Sequence, residues 1–309
     1  MAFVHIEKEI EQKMNGNRQV ELDPVVVERN EISRRLMIRD VCAATGWVFL
    51  TGAALAREGE PAVVGDEKNN DKAWGTVRGR LVLDGSVPAR KEAELEKANL
   101  SASDLKWFKS MGPILNEDWV VDPKTKGIQW VYVWLLPEDP KGSIQSHPSL
   151  LELPKEKRLV IVDQEPVGYV PHSVGIRSGQ GLLMRNKGSV AHVFNLTGFK
   201  NEPFNKAMPP GSEIAVENLK PESTPIQINC PPHPWERMWL RVFDHPYFAV
   251  TDEIGNFEIK LAPSGKCRLV VWHESAGFAG GRAGKNGSMI SVERAAITDV
   301  GVIKLSPKI

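Results

Sequence analysis

Three cysteines in 309 residues are too few and too irregularly placed for a disulfide framework. Charge of one sign is also missing. The 39 basic residues balance the 39 acidic ones, so no bulk field draws the chain to nucleic acid or to an anionic membrane surface. The apolar segment VCAATGWVFLTGAALA (41–56) holds roughly sixteen residues, short of the ~20 that a membrane-spanning helix needs, and it contains glycine and threonine.

What precedes that segment gives it a meaning. SRRLMIR (33–39) resembles a twin-arginine export motif, and the apolar run ends in Ala-Leu-Ala before Arg57. Residues 1–56 are therefore expected to be a signal region cleaved after Ala56, with a retained membrane anchor as the alternative. The polar leader 1–32 is long, so either it is an extended n-region or translation starts further on. Ile38, Arg39, Asp40 and Val41 do not form a lipobox before Cys42. The implied location is exported, periplasmic or cell-envelope. Cleavage would leave Cys230 and Cys267, and a charged linker would follow at 57–73.

Beyond the linker, 26 glycines and 22 prolines separate many short β-branched and aromatic runs, which predicts an all-β chain. WGTVRGRLVLDGSVP (74–88) reads as a strand and its exit. The charged stretch 89–112 reads as one or two short helices ending at Gly112, with no functional signal. WVVDPKTKGIQWVYVWLLP (119–137) reads as a β-hairpin whose aromatic stripe is core, with Trp130 and Trp134 on one face and Tyr132 opposite. A Pro-rich connector (137–157) leads to seven short strands over 158–245, the number a small Greek-key sandwich requires. FNKAMPPG (204–211) is expected to be a loop. AGGRAGKNG (279–287) has Asn286 where a phosphate loop needs Ser or Thr, and reads as a flexible glycine loop.

Chemistry concentrates in CPPHPWERM (230–238). Cys230, His233 and Met238 offer a thiolate, an imidazole and a thioether from one short turn. Soft donors of this kind suit copper, and a site with two histidines, one cysteine and a weak axial methionine needs another histidine from elsewhere. His192 can supply it if 182–187 and 191–196 are neighbouring strands and 224–230 ends at the same rim. Cys267, in KCRLVVW, reads as a buried core residue; a Cys230–Cys267 bridge is the competing reading and would abolish the site.

The Cys-x2-His-x4-Met loop resembles that of plastocyanin-like cupredoxins, and GYVPHSVGIRSGQGLLMRNKGSVAHVFN (168–195) resembles their other ligand half. The resemblance implies a Greek-key sandwich with a single type 1 copper held by His192, Cys230, His233 and Met238. It also implies a carrier of single electrons between redox partner proteins. His233 would be the exposed exit, with Pro232, Pro234 and Trp235 as a docking rim. Trp239 and Val193 depart from the pattern, standing where many such proteins have Gly and Asn. Asn229 and Pro231, not histidine, flank the cysteine, which argues against a wired second copper centre and so against an enzyme. No soluble small-molecule substrate is suggested.

A second resemblance follows His245. Thr251, Asp252, Gly255, Phe257, Pro263 and Gly265 resemble the second half of a carboxypeptidase regulatory-like, transthyretin-type β-sandwich, and 74–136 resembles its first half. The implied architecture is one sandwich split between 74–136 and 246–307, with the copper domain (158–245) inserted; two tandem domains are the alternative. His172, His245 and His273 read as hydrogen-bonded structural residues. The rival functions are a passive surface β-sandwich protein, and copper sequestration or delivery.

Overall fold

The computed structural model describes residues 73–307. The expected signal region with its apolar segment, Cys42 and most of the expected linker lie outside the described residues. The chain is mostly β, in four sheets. Two strands come first, β1 (Trp74–Leu83) and β2 (Tyr132–Pro137), and nine follow. These are β3 (Leu159–Glu165), β4 (Gly168–Val170), β5 (Ser173–Arg177), β6 (Gly181–Asn186), β7 (His192–Leu196), β8 (Phe204–Met208), β9 (Glu213–Val216), β10 (Ile226–Cys230) and β11 (His233–Phe243). The last six are β12 (Phe248–Val250), β13 (Asn256–Pro263), β14 (Gly265–His273), β15 (Gly277–Phe278), β16 (Ser288–Val292) and β17 (Ile297–Leu305). One α-helix, α1 (Ala102–Ser110), lies between β1 and β2.

Strands β3 to β11 form two sheets, β4-β3-β6-β9 and β5-β11-β10-β7-β8. Alternating side chains from both meet in one apolar core that includes Val162, Met184, Phe194, Ile228 and Leu240. Strands β6 and β7, expected to be neighbours, belong to opposite sheets, so the loop 187–191 crosses the sandwich instead of closing a hairpin. FNKAM is strand, not loop: β8 pairs with β7 along His192↔Met208 to Leu196↔Phe204. As an edge strand with Asn205, Lys206 and Ala207 exposed, it lacks the alternation that marks a half-buried strand.

The remaining strands form the sheets β13-β1-β17 and β12-β2-β14-β15, with β16 on β14, around a second core containing Val77, Leu81, Val133, Phe257 and Val271. The TDEIGNF segment is built by its own residues. Thr251 accepts from Val131 N–H and donates to Ile128 O, while the Asp252 carboxylate accepts from Ile254 and Asn256 N–H. Gly255 turns at φ 84°, where any side chain would meet Leu81 O. Cys267 packs in this core, and both described cysteines are free. The glycine segment 279–287 is ordered by a 3₁₀ turn at Gly281–Asn286.

The expected hairpin at 119–137 shrinks to a single bridge, Val121↔Ile128. Trp130 leaves the strand at φ 68°. Tyr132 and Trp134 then share one face, opposite to Val131, Val133 and Leu135, because strand side chains alternate with period two. That aromatic face meets β11 of the other sandwich. Trp134 packs edge-on to Phe243, Trp272 to Trp239, and the Arg241 guanidinium lies 3.8 Å from the Trp134 ring centre.

Polar groups pin the same junction. The Tyr132 hydroxyl donates toward Trp239 O (2.7 Å) and accepts from Val174 N–H (3.1 Å). His172, buried, sits between Glu274 and Glu117, with Nε2 2.5 Å from the first and Nδ1 3.1 Å from the second, off-line for a hydrogen bond. Glu274 also accepts from Trp239 Nε1 at 2.8 Å. His245 and His273 accept backbone N–H groups through Nδ1, and burial pushes each down to about 4, so both are neutral.

Two outcomes follow from the junction. Tyr132→Phe removes hydrogen bonds that bridge the sandwiches and should lower unfolding stability by about 1–3 kcal/mol in urea titrations. Burial alone would lower the His172 pKa, but the Glu117 and Glu274 carboxylates raise it to about 9 from an ordinary 6.5. The folded chain therefore holds the imidazolium more tightly than the unfolded chain does. Its contribution is complete below 6.5 and disappears as pH rises to about 9. His172→Gln should flatten the stability profile across that window.

Candidate metal centre

Cys230 and His233 face each other across the Pro231-Pro232 turn that joins β10 to β11. Behind the turn the register jumps, from Cys230↔His233 to Asn229↔Arg237. Residues three apart on a regular strand point to opposite faces, but the bulge inserts extra residues into β11 and lets His233 and Glu236 both turn inward. His192 opens β7, and Asn186 fixes the loop before it. The Asn186 amide donates to Val190 O and Met208 O, and its Oδ1 accepts from Gly188 N–H. At Gly188 an added Cβ would lie 3.3 Å from His192 Nε2, so the bare backbone permits this close approach.

The result is a buried group of four donors, His192, Cys230, His233 and Glu236, whose ligand atoms all lie within 4.8 Å of one another. His192 Nδ1 is 3.0 Å from His233 Nδ1 and 4.0 Å from Cys230 Sγ, and His233 Nδ1 is 3.4 Å from that sulfur. Glu236 Oε2 lies 2.9 Å from His192 Nδ1 and 3.2 Å from His233 Nδ1. The Nδ1 atoms of both imidazoles thus converge on each other and on one carboxylate oxygen. Bonds of about 2.0 Å to N and O and about 2.3 Å to S require edges of roughly 3.3–3.5 Å around a single cation, and the edges at His192 and His233 span 2.9–4.0 Å on either side of that range. Two imidazoles, a thiolate and a carboxylate are consistent with a copper site.

Surrounding groups orient the donors. Gln164 on β3, in the facing sheet, donates its amide N–H to Glu236 Oε2 at 3.0 Å. Val193 N–H donates to Cys230 Sγ at 3.2 Å, and Asn195 donates to Asn229 at 2.8 Å, tying β7 to β10. Glu236 Oε1, Gln164 Oε1 and the Tyr169 hydroxyl are buried without a hydrogen-bond partner among the described residues. Burial pushes the Cys230 thiol up to about 12, the Glu236 carboxylate adding to the shift while the Val193 and His233 N–H groups oppose it. Without a metal the thiol is thus protonated; a bound cation reverses that balance.

Among the expected ligands, the structure brings His192, Cys230 and His233 together. Glu236 is an acidic fourth member of the group, and Met238 is buried on the same face of β11, opposite Ile228 on β10. Glu236 shares the inward face of Met238, Leu240 and Val242 by simple alternation, and the bulge brings His233 to that same side. A carboxylate in phase with three core residues was the legible signal.

His233 is also not the exposed exit expected for it. It is 3% exposed, with Phe108 of α1 edge-on at 4.9 Å and Trp235 stacked at 5.5 Å and 28°. The stretch 89–112, which carried no functional signal, folds as a cap. Ser101 caps α1 by accepting Asp104 N–H, and Leu95, Phe108 and Ile114 pack with Val190 and Trp235, on the loops that bear two of the donors.

Strands β3 to β11 and their site together define a two-sheet β-sandwich that buries a cluster of nitrogen, sulfur and oxygen donors. No family model matches this sequence, and no curated protein matches it. Among solved structures, a purple cupredoxin from Nitrosopumilus maritimus is similar over 26% of this chain and 97% of its own, at 17% identity and a TM-score of 0.23. Amicyanin from Paracoccus versutus is similar over 29% of this chain and 85% of its own, at 20% identity and a TM-score of 0.25. A copper-containing nitrite reductase from Thermus scotoductus SA-01 matches over 33% of this chain and 25% of its own, at 18% identity and a TM-score of 0.25. These likenesses are faint, and the donor geometry carries the chemistry.

Both free thiols should resist Ellman's reagent near neutral pH in the native metal-free protein, since burial pushes Cys267 up as well, to about 11. Denaturation should release both at once; fast native labelling of Cys230 would show the cap to be open.

Proposed function

We propose that this protein holds a single copper ion through His192, Cys230, His233 and Glu236 and carries single electrons between redox partner proteins. The observation that supports this most directly is the convergence of four buried donor atoms within 4.8 Å. Copper, when bound, supplies one-electron exchange between its two oxidation states. The chain supplies the rest. Pro231, Pro232 and Pro234 stiffen the donor turn by fixing φ, and the paired strands hold the donors in one geometry for both states. The cap excludes water. Two anionic donors, Cys230 and Glu236, offset the charge of the oxidised ion, an effect that strengthens in a poorly solvated site. Glu236 therefore biases the site toward oxidation, where a neutral methionine would not.

The SRRLMIR segment and the apolar run after it support an exported location, cleaved or membrane-anchored. We read the flanking sandwich as carboxypeptidase regulatory-like, on Thr251, Asp252, Gly255 and Phe257. Burial of every donor also suits copper storage or delivery, which is the second reading. Copper reconstitution separates the two. Electron transfer predicts an intense thiolate-to-copper visible absorption at one copper per chain, a reversible one-electron wave, loss of the band in Cys230→Ala, and a higher potential in Glu236→Met. Bound copper with no reversible couple would leave storage, and zinc retained in place of copper would sink both.

A further inference from the structure

All four donors are shut away from solvent: His192, Cys230, His233 and Glu236 are each 3% exposed or less. A redox ion there is useful for electron exchange only if some group carries coupling to the surface. Phe108 cannot be that group, being fully buried under α1. Pro231 and Pro232 are exposed on the donor turn, but their rings are saturated. Trp235 differs from both. Its indole stacks on the His233 ring, with centroids 5.5 Å apart and planes 28° apart, and the side chain is only half-buried. It lines a groove of about 640 Å³ between the cap and β11, with Lys91, Glu94, Lys97, Pro234 and Arg237 around it. Its Nε1 has no hydrogen-bond partner among the described residues.

We propose that Trp235 is the relay through which electrons enter and leave the centre, and that the groove beside it is where redox partners approach. The inference rests on the copper reading and deepens it. Electron tunnelling decays exponentially with distance and is weakened by gaps between unbonded atoms, and a half-exposed ring stacked on a donor imidazole reaches the surface across a single such gap. The cap then has two effects: it closes the direct edge of His233, and with Phe108 edge-on at 4.9 Å it holds the indole in register. Trp235 is a positioning and relay residue, not a ligand.

The test uses copper-loaded full chain and stopped-flow oxidation of the reduced protein by two small oxidants of opposite charge, ferricyanide and a cobalt(III) phenanthroline cation. Trp235→Leu should slow both by an order of magnitude or more with the visible band and the potential unchanged, and Trp235→Phe should restore most of the rate. Wild-type rates in Trp235→Leu with an intact band would overturn the relay. If the leucine variant loses its band, the double variant Lys91→Glu/Lys97→Glu decides, since both residues are exposed at the groove and away from the donors. At low ionic strength, where surface charges are least screened, it should slow ferricyanide severalfold and speed the cation. Equal or absent effects would place the exchange surface elsewhere. A wild-type protein with no thiolate-to-copper band or reversible couple would fail the underlying copper reading instead, before any variant is made.

Discussion

The alternation of side chains along β11 is the constraint on which the rest depends. One face of this strand sends Glu236, Met238, Leu240 and Val242 into the sandwich that holds the donors. The other sends Arg237, Trp239, Arg241 and Phe243 to the flanking sandwich, where they meet Asp118, Trp272 and Trp134. A strand has only these two faces, so donor geometry and the contact between sandwiches are set by the same backbone. The bulge behind the Pro231-Pro232 turn is where the two demands are reconciled: it shifts phase by the amount needed to bring His233 and Glu236 to one side.

That arrangement makes the flanking sandwich part of the site without its donating a ligand. The residues between β1 and β2 cross over to cover His233, and those around β2 and β14 fix the outer face of β11 through Tyr132, Glu274 and the aromatic cluster. Burying charged groups such as Arg241 and His172 at the junction is tolerated because each has a compensating neighbour, an aromatic face in one case and carboxylates in the other. Arg241 nonetheless feels the cost, since burial pulls it down to about 10.

Some of this was legible in the residues. Short apolar runs punctuated by glycine and proline announce an all-β chain, and the local spacing of Cys230 and His233 announces a soft-metal turn. The helix over 102–110 shows in its Ser101 cap and in Gly112 beyond its end. Other features gave weak or misleading signals. β8 is an exposed edge strand with no alternation, and the phase of Trp130 is broken by a positive φ that no pattern displays. His233 and Glu236 turn to one side only because β11 is bulged next to the turn. A bulge changes which residue faces inward while leaving composition untouched.

Residue types and their short spacing settle the strand-rich class and the donors available, because hydrophobic period and donor chemistry are local properties. Packing of the folded chain brings Glu236 against His192, Cys230 and His233 and lays Phe108 over the imidazole. These outcomes depend on register and on packing between segments from 38 residues apart, for His192 and Cys230, to more than a hundred, for Phe108 and His233. Neither is encoded in any local stretch.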